Sequence, residues 1–394
     1  VFPAAAPPPP AGDDPARRLL RALLAQGRAA GNAGDLYENR DRGHSRLDPG
    51  NHPGLAEVHY MPEARAAGLD YGLPGPFLFD APLIGNSSTA VTAGARWRSL
   101  PRLALTRPGG ALALYQNYLA GQIHVFPEHR DHDPEQGDLF PANTPYYLVS
   151  QGSSGSDRPH LEALALILAA LRPETKAFLR EKGLLGPAVQ MIWRRGLAPA
   201  PVRGAYLSGA AHPSVFRGED IDPVRLVGIA NALAPGEVPP MVRLSVEAED
   251  FDPAPALADE GAPPGERLFD TPAALARVWR GEGGRRSMLV SAAATEDPNG
   301  RALRFSWVLL RGDPARTRIE PLDAEGRRAR ITIDWQNPRP VPGRGEIRSA
   351  RIDIGVFAHN GAQDSAPSFI SVLLPRHLIE PGAYADPALF PEER

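Results

Sequence analysis

The sequence predicts an α+β or α/β amino-terminal domain with long loops, followed by an all-β sandwich at the carboxyl terminus. The length of 394 residues exceeds what one ordinary core accommodates, so more than one domain is expected. Up to about residue 238, strongly apolar helical segments alternate with short extended ones. Beyond that point, short strand patterns are separated by turns rich in Asp, Asn, Gly and Pro, which is typical of a sandwich.

Composition excludes several kinds of chemistry. The chain has no cysteine, so disulfides, thiolate catalysis, cysteine-bound zinc and iron–sulfur clusters are ruled out. The formal net charge of −3 argues against nucleic acid as a partner, because phosphate-binding surfaces carry a basic excess. No apolar run reaches the length of a transmembrane segment.

Residues 1–15 form a proline-rich arm that opens "VFPAAAPPPP" without an initiator Met. This beginning is typical of a mature chain after signal-peptide removal, so we expect a secreted, periplasmic or cell-surface location. A helix follows, with Asp13 or Asp14 as its cap and Pro15 in its first turn.

Residues 16–238 are predicted to form the mixed domain. "PLIGNSS" and "GGALALYQNYLAGQIHVF" are interpreted as buried extended segments, the second leading into a polar loop at 124–138. "DRPHLEALALILAALRP" predicts a buried helix with Asp157 as its cap, and Pro173 is expected to end it. "DIDPVRLVGIANAL" predicts a further helix.

Residues 239–378 are predicted to form the sandwich, and 379–394 a tail. "MVRLSVEAEDF", "RALRFSWVLLRG", "RARITIDWQ" and "ARIDIGVFAHNG" are strand patterns of this region. The stretch at about 252–284 is interpreted as an insertion, with a helix from Pro272 to Trp279.

The segment 287–375 resembles the PKD-like and Ig-like modules of exported bacterial proteins. The resemblance rests on "ATEDPNGRALRFSW", in which a D-P-x-G turn precedes an aromatic strand, and on "RIDIGVFAHNGAQDSAPSFISV". It implies a sandwich that acts as a spacer or contacts carbohydrate or protein, and it covers under a quarter of the chain. The first region resembles uncharacterised bacterial exported proteins, for which no activity follows.

The loop at 124–138 is the first candidate for a metal site. Its prolines discourage a continuous helix, so the helical zinc-protease arrangement is not expected. Two histidines with Glu128 could bind zinc, or the alternating carboxylates could bind calcium. The alternative is a hydrogen-bonded cluster around Arg130 that binds nothing. The metal-ligand candidates are His129, Asp131, His132 and Asp133.

A second polar loop at 35–52 is expected to approach the first. Together the two loops would form one cleft with acid, base and anion-binding groups. The alternative is two separate loops, each held by its own ion pairs. The catalytic candidates are Arg40 as charge stabiliser, His44, Glu128 with Asp131 as acid and base, and His129 as base or ligand.

These features favour an exported hydrolase or lyase that acts on a polymer such as a polysaccharide, with calcium or zinc as the cofactors considered. The competing hypothesis is a non-catalytic ligand-binding or cell-surface assembly protein that uses the sandwich for contacts, self-association included. The density of ionisable groups in the two loops favours a site. The absence of a recognised catalytic signature favours binding or assembly.

Overall fold

The computed structural model describes residues 34–48, 51–52, 54–73, 81–91, 98–129, 140–153, 155–257, 264–280, 284–341 and 344–374, together with positions 15, 16, 18 and 22. The predicted tail, the proline-rich arm before Pro15 and nearly all of the first predicted helix lie outside the described residues. Within them, no helix has the length and apolar character needed to cross a bilayer.

A five-stranded sheet forms the centre of the amino-terminal part, in the order β2-β1-β3-β6-β7. Every neighbouring pair in this sheet is parallel, and three of its strands are buried along nearly their whole length, as parallel strands usually are. The strands are β1 (Asp35–Arg40), β2 (Leu55–Glu57), β3 (Leu83–Ser87), β6 (Gln122–Glu128) and β7 (Leu148–Gln151); a separate antiparallel pair comprises β4 (Ala90–Val91) and β5 (Arg98–Ser99).

Helices occupy most of the remaining described chain of this part. Arg158–Ala170 is the predicted apolar helix, and Pro173 begins the next helix after it, as expected. Asp222 accepts a hydrogen bond from the Arg225 N–H and so caps the last helix. The helices are α1 (Pro62–Ala66), α2 (Leu100–Thr106), α3 (Gly110–Leu119), α4 (Arg158–Ala170), α5 (Pro173–Glu181), α6 (Leu185–Gly196), α7 (Arg203–Tyr206) and α8 (Pro223–Ala232), with 3₁₀ turns at Gly209–Ala211, Gly218–Asp220 and Pro235–Glu237.

The extended conformation predicted for "GGALALYQNYLAG" is wrong, because Gly110–Leu119 is α3 and only Gln122–Glu128 is a strand. Ala, Leu and Gln favour helix, and the short apolar run does not distinguish a buried strand from a buried helix. Gly121, at a φ of 71°, lies between the helix and the strand and takes the left-handed conformation that glycine adopts without strain.

Two sheets of the carboxyl-terminal part pack on one apolar core. One has the order β12-β17-β18-β10-β9 and the other β13-β14-β11-β8. Val290 and Ile331 of the four-stranded sheet and Ile354 and Val372 of the five-stranded sheet belong to the same buried cluster. The strands are β8 (Ser245–Glu249), β9 (Arg267–Thr271), β10 (Ala274–Val278), β11 (Arg285–Ser291), β12 (Arg304–Arg311), β13 (Thr317–Pro321), β14 (Arg328–Asp334), β15 (Arg339–Val341), β16 (Arg344–Ser349), β17 (Arg351–His359) and β18 (Ser368–Leu373).

The helix predicted from Pro272 to Trp279 is also wrong. Ala274–Val278 is β10, which pairs with β9 on one side and runs parallel to β18 on the other. All five of its residues are buried between neighbours, so tertiary packing outweighs the helix propensity of "PAALARVW". Part of the stretch interpreted as an insertion therefore supplies two strands of the sandwich.

The two parts share a buried junction. Phe357 and Phe369 of the sandwich belong to the same apolar cluster as the core of the parallel sheet. The Arg194 guanidinium lies 5.2 Å from the Phe369 ring centroid. Arg351 is buried, forms two hydrogen bonds of 2.8 Å to Asp353, and donates to the Phe140 carbonyl oxygen at 2.6 Å. The junction is therefore built from apolar packing and from satisfied buried polar groups.

Replacing Arg351 tests this junction. In Arg351→Met, Asp353 stays buried, and the cation that remains beside it among the described residues is Arg311, at 3.7 Å. Breaking a buried pair in this way costs about 3–5 kcal/mol, and denaturant unfolding should show that loss. The control, Arg318→Met, breaks an exposed pair with Glu320 and should cost less than about 1 kcal/mol. Equal losses for the two variants would contradict the structural role of Arg351.

Candidate functional site

A buried carboxylate–imidazole pair crosses the middle of the parallel sheet. Glu38 lies on β1 and His124 on β6, and the two strands are separated by β3. Glu38 Oε1 and His124 Nε2 are nonetheless 2.6 Å apart. Gly85 of β3 permits this, because a Cβ there would lie 2.8 Å from His124 Nε2 and 2.9 Å from Glu38 Cγ. Glycine is thus required between the two side chains.

The surroundings of Glu38 keep it ionised. Tyr60 donates a hydrogen bond from its hydroxyl group to Glu38 Oε2 at 2.5 Å. Burial alone would raise the pKa of Glu38, but the hydrogen bond and charge of His124, with Tyr60 and Arg40, lower it below its usual value. Glu38 and His124 therefore form a buried hydrogen-bonded pair that links the two strands.

A tight turn follows β1 at the carboxyl edge of the sheet. Asn39 Oδ1 accepts hydrogen bonds from the N–H groups of Asp41 and Gly43 at 3.0 and 2.9 Å. Arg42 and Ser45, which are not glycine, have positive φ values of 51° and 54°. Such conformations cost about 1–3 kcal/mol each and concentrate at functional sites. The turn is therefore held in a strained shape by Asn39.

Asn86, near the end of β3, joins this turn to the neighbouring strand. Its side chain is fully buried. Asn86 Oδ1 accepts hydrogen bonds from Tyr37 and Asn39, both at 3.2 Å, and its Nδ2 donates to the His44 carbonyl oxygen at 3.1 Å. The carboxyl ends of β1 and β3 are thus fixed to each other through side-chain amides.

Asp157 is the most unusual residue at this edge. It precedes α4 as predicted, but its side chain does not cap the helix. It is fully buried, and no donor lies in hydrogen-bond geometry with either carboxylate oxygen among the described residues. Its pKa is raised to about 6, chiefly by burial; the nearby charge of Asp41 acts in the same direction, and Ser45 and Asn86 act against it. Burying a carboxylate without a hydrogen-bond partner lowers the stability of the folded protein, so a functional role is a reason for keeping it.

Asp41 is a second carboxylate of the same kind. It is 2% exposed, and its Oδ2 has no hydrogen-bond partner within the described chain. Burial raises the pKa of Asp41, although His44, with its Nδ1 at 3.6 Å from Asp41 Oδ1, lowers it in part. The Ser45 hydroxyl is likewise unpartnered among the described residues. We call Asn39, Asp41, Ser45, Asn86 and Asp157 the Asp41–Asp157 cluster.

This cluster has the properties of an acid–base site. Two buried carboxyl groups with raised pKa values lie close enough for one charge to affect the other. Such a pair retains a proton to higher pH than ordinary carboxyl groups do, and can transfer it to or from a bound molecule. The carboxylate oxygens and the Ser45 hydroxyl that lack a hydrogen-bond partner among the described residues are buried, and the amides of Asn39 and Asn86 fix the geometry around them.

Glu128 and His129 lie at the carboxyl end of β6. Glu128 is 1% exposed, accepts a hydrogen bond from the Ser99 hydroxyl and lies 3.3 Å from Arg102 Nη2. His129 is exposed, and its carbonyl oxygen accepts a hydrogen bond from Gln151 at 3.4 Å. Ser99, which precedes α2, and Arg102 of α2 thus hold the carboxylate of Glu128 in place. The catalytic roles of Glu128 and His129 stay predictions.

Arg40 and His44 lie on the other predicted loop. Arg40 is buried and donates to the Leu73 carbonyl oxygen at 2.7 Å and to Tyr60 at 3.0 Å. Its bonds therefore tie β1 to the segment at 60–73, and not to Glu128. His44 borders the Asp41–Asp157 cluster. Among the described residues, Glu38 and His124 make a contact between the two predicted loop segments.

The predicted metal ligands other than His129 lie outside the described residues. These are Asp131, His132 and Asp133, of which Asp131 is also the predicted acid–base partner of Glu128. Within the described ranges, no three or more His, Asp and Glu side chains surround a point where an ion could bind. Calcium and zinc therefore stay predictions from the sequence.

Sequence reasoning missed Asn39, Asn86 and Asp157 as site residues. A signal for two of them was present, since "YENRD" and "IGNSS" each place polar residues at the end of a buried strand. Ligands of parallel sheets bind outside the carboxyl ends of the strands. For Asp157 the local pattern was misleading, because an Asp before Arg-Pro is typical of a helix cap.

Comparison with known proteins does not identify this chain. No family model matches the sequence, and no curated protein matches it. The tandem Ig repeats of Dlar are 13% identical to this chain, with a TM-score of 0.15. The match covers 24% of this chain and 41% of the Dlar chain. A second solved structure is a nucleoside hydrolase-related hypothetical protein from Saccharophagus degradans that is associated with carbohydrate metabolism. It is 10% identical to this chain, with a TM-score of 0.23, and the match covers 75% of this chain and 71% of that protein. Neither similarity is close enough to support an argument about fold or function.

Adding a methyl group at Gly85 tests the pair across the sheet. In Gly85→Ala the new Cβ would overlap both Glu38 and His124, so the free energy of unfolding should fall by about 2–4 kcal/mol. Chemical denaturation measures this loss. Gly228→Ala is the control, because a Cβ at this position of α8 contacts nothing. If Gly85→Ala were as stable as the control, the requirement for glycine at position 85 would be contradicted.

Proposed function

We propose that this protein is a hydrolase that cleaves glycosidic bonds in a polysaccharide, with its reaction at the Asp41–Asp157 cluster. The observation that carries the proposal is the fully buried Asp157 carboxyl group, whose oxygens have no hydrogen-bond partner among the described residues and whose pKa is raised to about 6. A folded protein keeps such a group at a cost in stability, and a catalytic acid is the common reason.

Glycoside hydrolysis requires two carboxyl groups in different protonation states. One protonates the leaving oxygen, and the other acts as base or nucleophile at the sugar carbon. Asp157, with its raised pKa, is the general acid in this proposal. Asp41 is the second carboxylate, with His44 beside it. The Ser45 hydroxyl, which has no hydrogen-bond partner among the described residues, is a polar group suited to a sugar hydroxyl.

We infer that the carboxyl-terminal sandwich is of the Ig-like or PKD-like type and contacts the polymer or the cell surface. The Asp297 turn supports this fold, because Asp297 Oδ1 accepts hydrogen bonds from the N–H groups of Asn299 and Arg301 at 2.9 and 3.1 Å. Two sheets that share one core also support it. The buried junction would hold the sandwich in a constant position relative to the catalytic part.

Removing either carboxylate should abolish turnover. Asp157→Asn and Asp41→Asn should each reduce release of reducing ends from a responsive polysaccharide by at least about 100-fold. The wild-type rate should decline as the pH rises above about 6, where Asp157 loses its proton. Asp334→Asn changes an exposed carboxylate that pairs with Arg285, so it is the control and should keep full activity.

Two outcomes would contradict this proposal. The first is full activity in Asp157→Asn. The second is a wild-type protein that binds polysaccharides but releases no product from any of them at pH 4–8. That result would favour the non-catalytic ligand-binding hypothesis.

The stability of Asp157→Asn gives a separate test. Because folding raises the pKa of Asp157 from 3.8 to about 6, wild-type stability should fall as the pH rises from about 4 to about 6. The loss is about 3 kcal/mol at most, and the variant should lack this contribution. Denaturant unfolding at pH 4 and pH 8 measures it. A variant less stable than wild type at pH 8 would show that the carboxylate has a structural partner.

A further inference from the structure

A pocket of about 180 Å³ lies at the junction of the two parts, away from the Asp41–Asp157 cluster. One wall comes from the helices, with Arg195 of α6, Arg203 at the start of α7 and Arg225 of α8. The opposite wall comes from the sandwich, with His359 at the end of β17 and Asp364 in the turn that follows. The pocket is therefore formed only when the two parts are joined.

The lining of this pocket has an excess of positive charge. Arg203 binds Asp364 through two hydrogen bonds of 2.6 and 2.8 Å, so the charges of these two residues compensate each other. Arg195 instead donates to the neutral Gln363 amide oxygen at 2.6 Å. Arg225 donates to the carbonyl oxygens of Leu197 and Ala200. Within the described chain, neither Arg195 nor Arg225 has a carboxylate partner.

Two uncompensated guanidinium groups in one small cavity favour an anion with two charges. Guanidinium groups bind phosphate and carboxylate oxygens through paired N–H donors. A phosphate monoester carries between about 1.5 and 2 negative charges at pH 7, whereas a single carboxylate would leave one arginine uncompensated. The volume is below the roughly 300–1,000 Å³ typical of drug-sized ligands, so a phosphate group fits and a large ligand does not.

We propose that this pocket is a binding site for a phosphate group, held by Arg195 and Arg225 with His359 at its wall. The ligand is inorganic phosphate or a small phosphate monoester such as a sugar phosphate. Because residues of both parts line the pocket, bound phosphate stabilises the junction as well as occupying a site. This inference does not depend on the catalytic proposal.

Calorimetric titration of the full chain with inorganic phosphate, at constant ionic strength, tests the site. We expect binding of one phosphate per chain and a higher melting temperature than in chloride. Arg195→Gln should weaken binding at least tenfold, and Arg195→Lys should weaken it less. Arg225→Gln should act like Arg195→Gln, with its melting temperature measured to confirm folding. Arg217→Gln is the matched control, because Arg217 pairs with Asp220 outside the pocket, and it should bind normally.

Further titrations distinguish the ligand. Glucose 6-phosphate that binds at least as tightly as inorganic phosphate would identify a phosphate monoester, and weaker binding would identify the free ion. Glucuronate that binds as tightly as either, with the same loss in Arg195→Gln, would overturn the assignment in favour of a carboxylate. Absence of phosphate binding, or binding that Arg195→Gln and Arg225→Gln leave unchanged, would refute the site.

Discussion

The parallel direction of the five central strands is the constraint on which the candidate site depends. Because every neighbouring pair runs the same way, the carboxyl ends of β1 and β3 meet at one edge of the sheet. Asn39 and Asp41 leave the first of these strands, and Asn86 lies near the end of the second. The loop after β7 brings Asp157 to the same edge. An antiparallel arrangement would have placed these groups at opposite ends.

Other buried carboxylates in the molecule form ion pairs with Arg or Lys side chains. Asp353 is as buried as Asp157, yet Arg351 and Arg311 lower its pKa below the usual value even though burial acts in the opposite direction. Asp35 lies 2.5 Å from the buried Lys176. Within the described residues Asp157 has no ion-pair partner, and Asp41 has the His44 imidazole at 3.6 Å in place of a buried Arg or Lys. This contrast distinguishes Asp41 and Asp157 from the carboxylates whose charge is balanced by a buried Arg or Lys.

Local sequence predicted the elements whose patterns are strong. The apolar run before Pro173 predicted α4 correctly, and the segment "DIDPVRLVGIANAL" predicted α8 correctly. The order of helices and strands predicted a mixed amino-terminal part and a strand-rich carboxyl-terminal part. Short segments with mixed preferences were not predictable, as "ALALYQNYL" and "ALARV" show, because burial against neighbours decided between helix and strand.

The site was predictable only at the level of loops. The polar segments at 35–52 and 124–138 were identified with Glu38 and His124 in them, but the loop predicted from residue 35 is wrong at Asp35–Arg40, which is the buried strand β1. Their pairing was not foreseeable, since it depends on β3 lying between their strands and on Gly85 lying between their side chains. The direction of the Asp157 side chain is likewise a tertiary property, and no local pattern encodes it.

The shared junction also has a consequence for the order in which the protein forms during synthesis. Phe369, in the last described strand, belongs to the same core cluster as Tyr37 of the first strand. Asn143 and Ser371, 228 positions apart, are joined by a hydrogen bond of 2.9 Å. The amino-terminal part therefore cannot complete its core until the chain has left the ribosome as far as Ser371. Until then its apolar face remains exposed, and that interval is when a nascent chain of this kind most needs a chaperone.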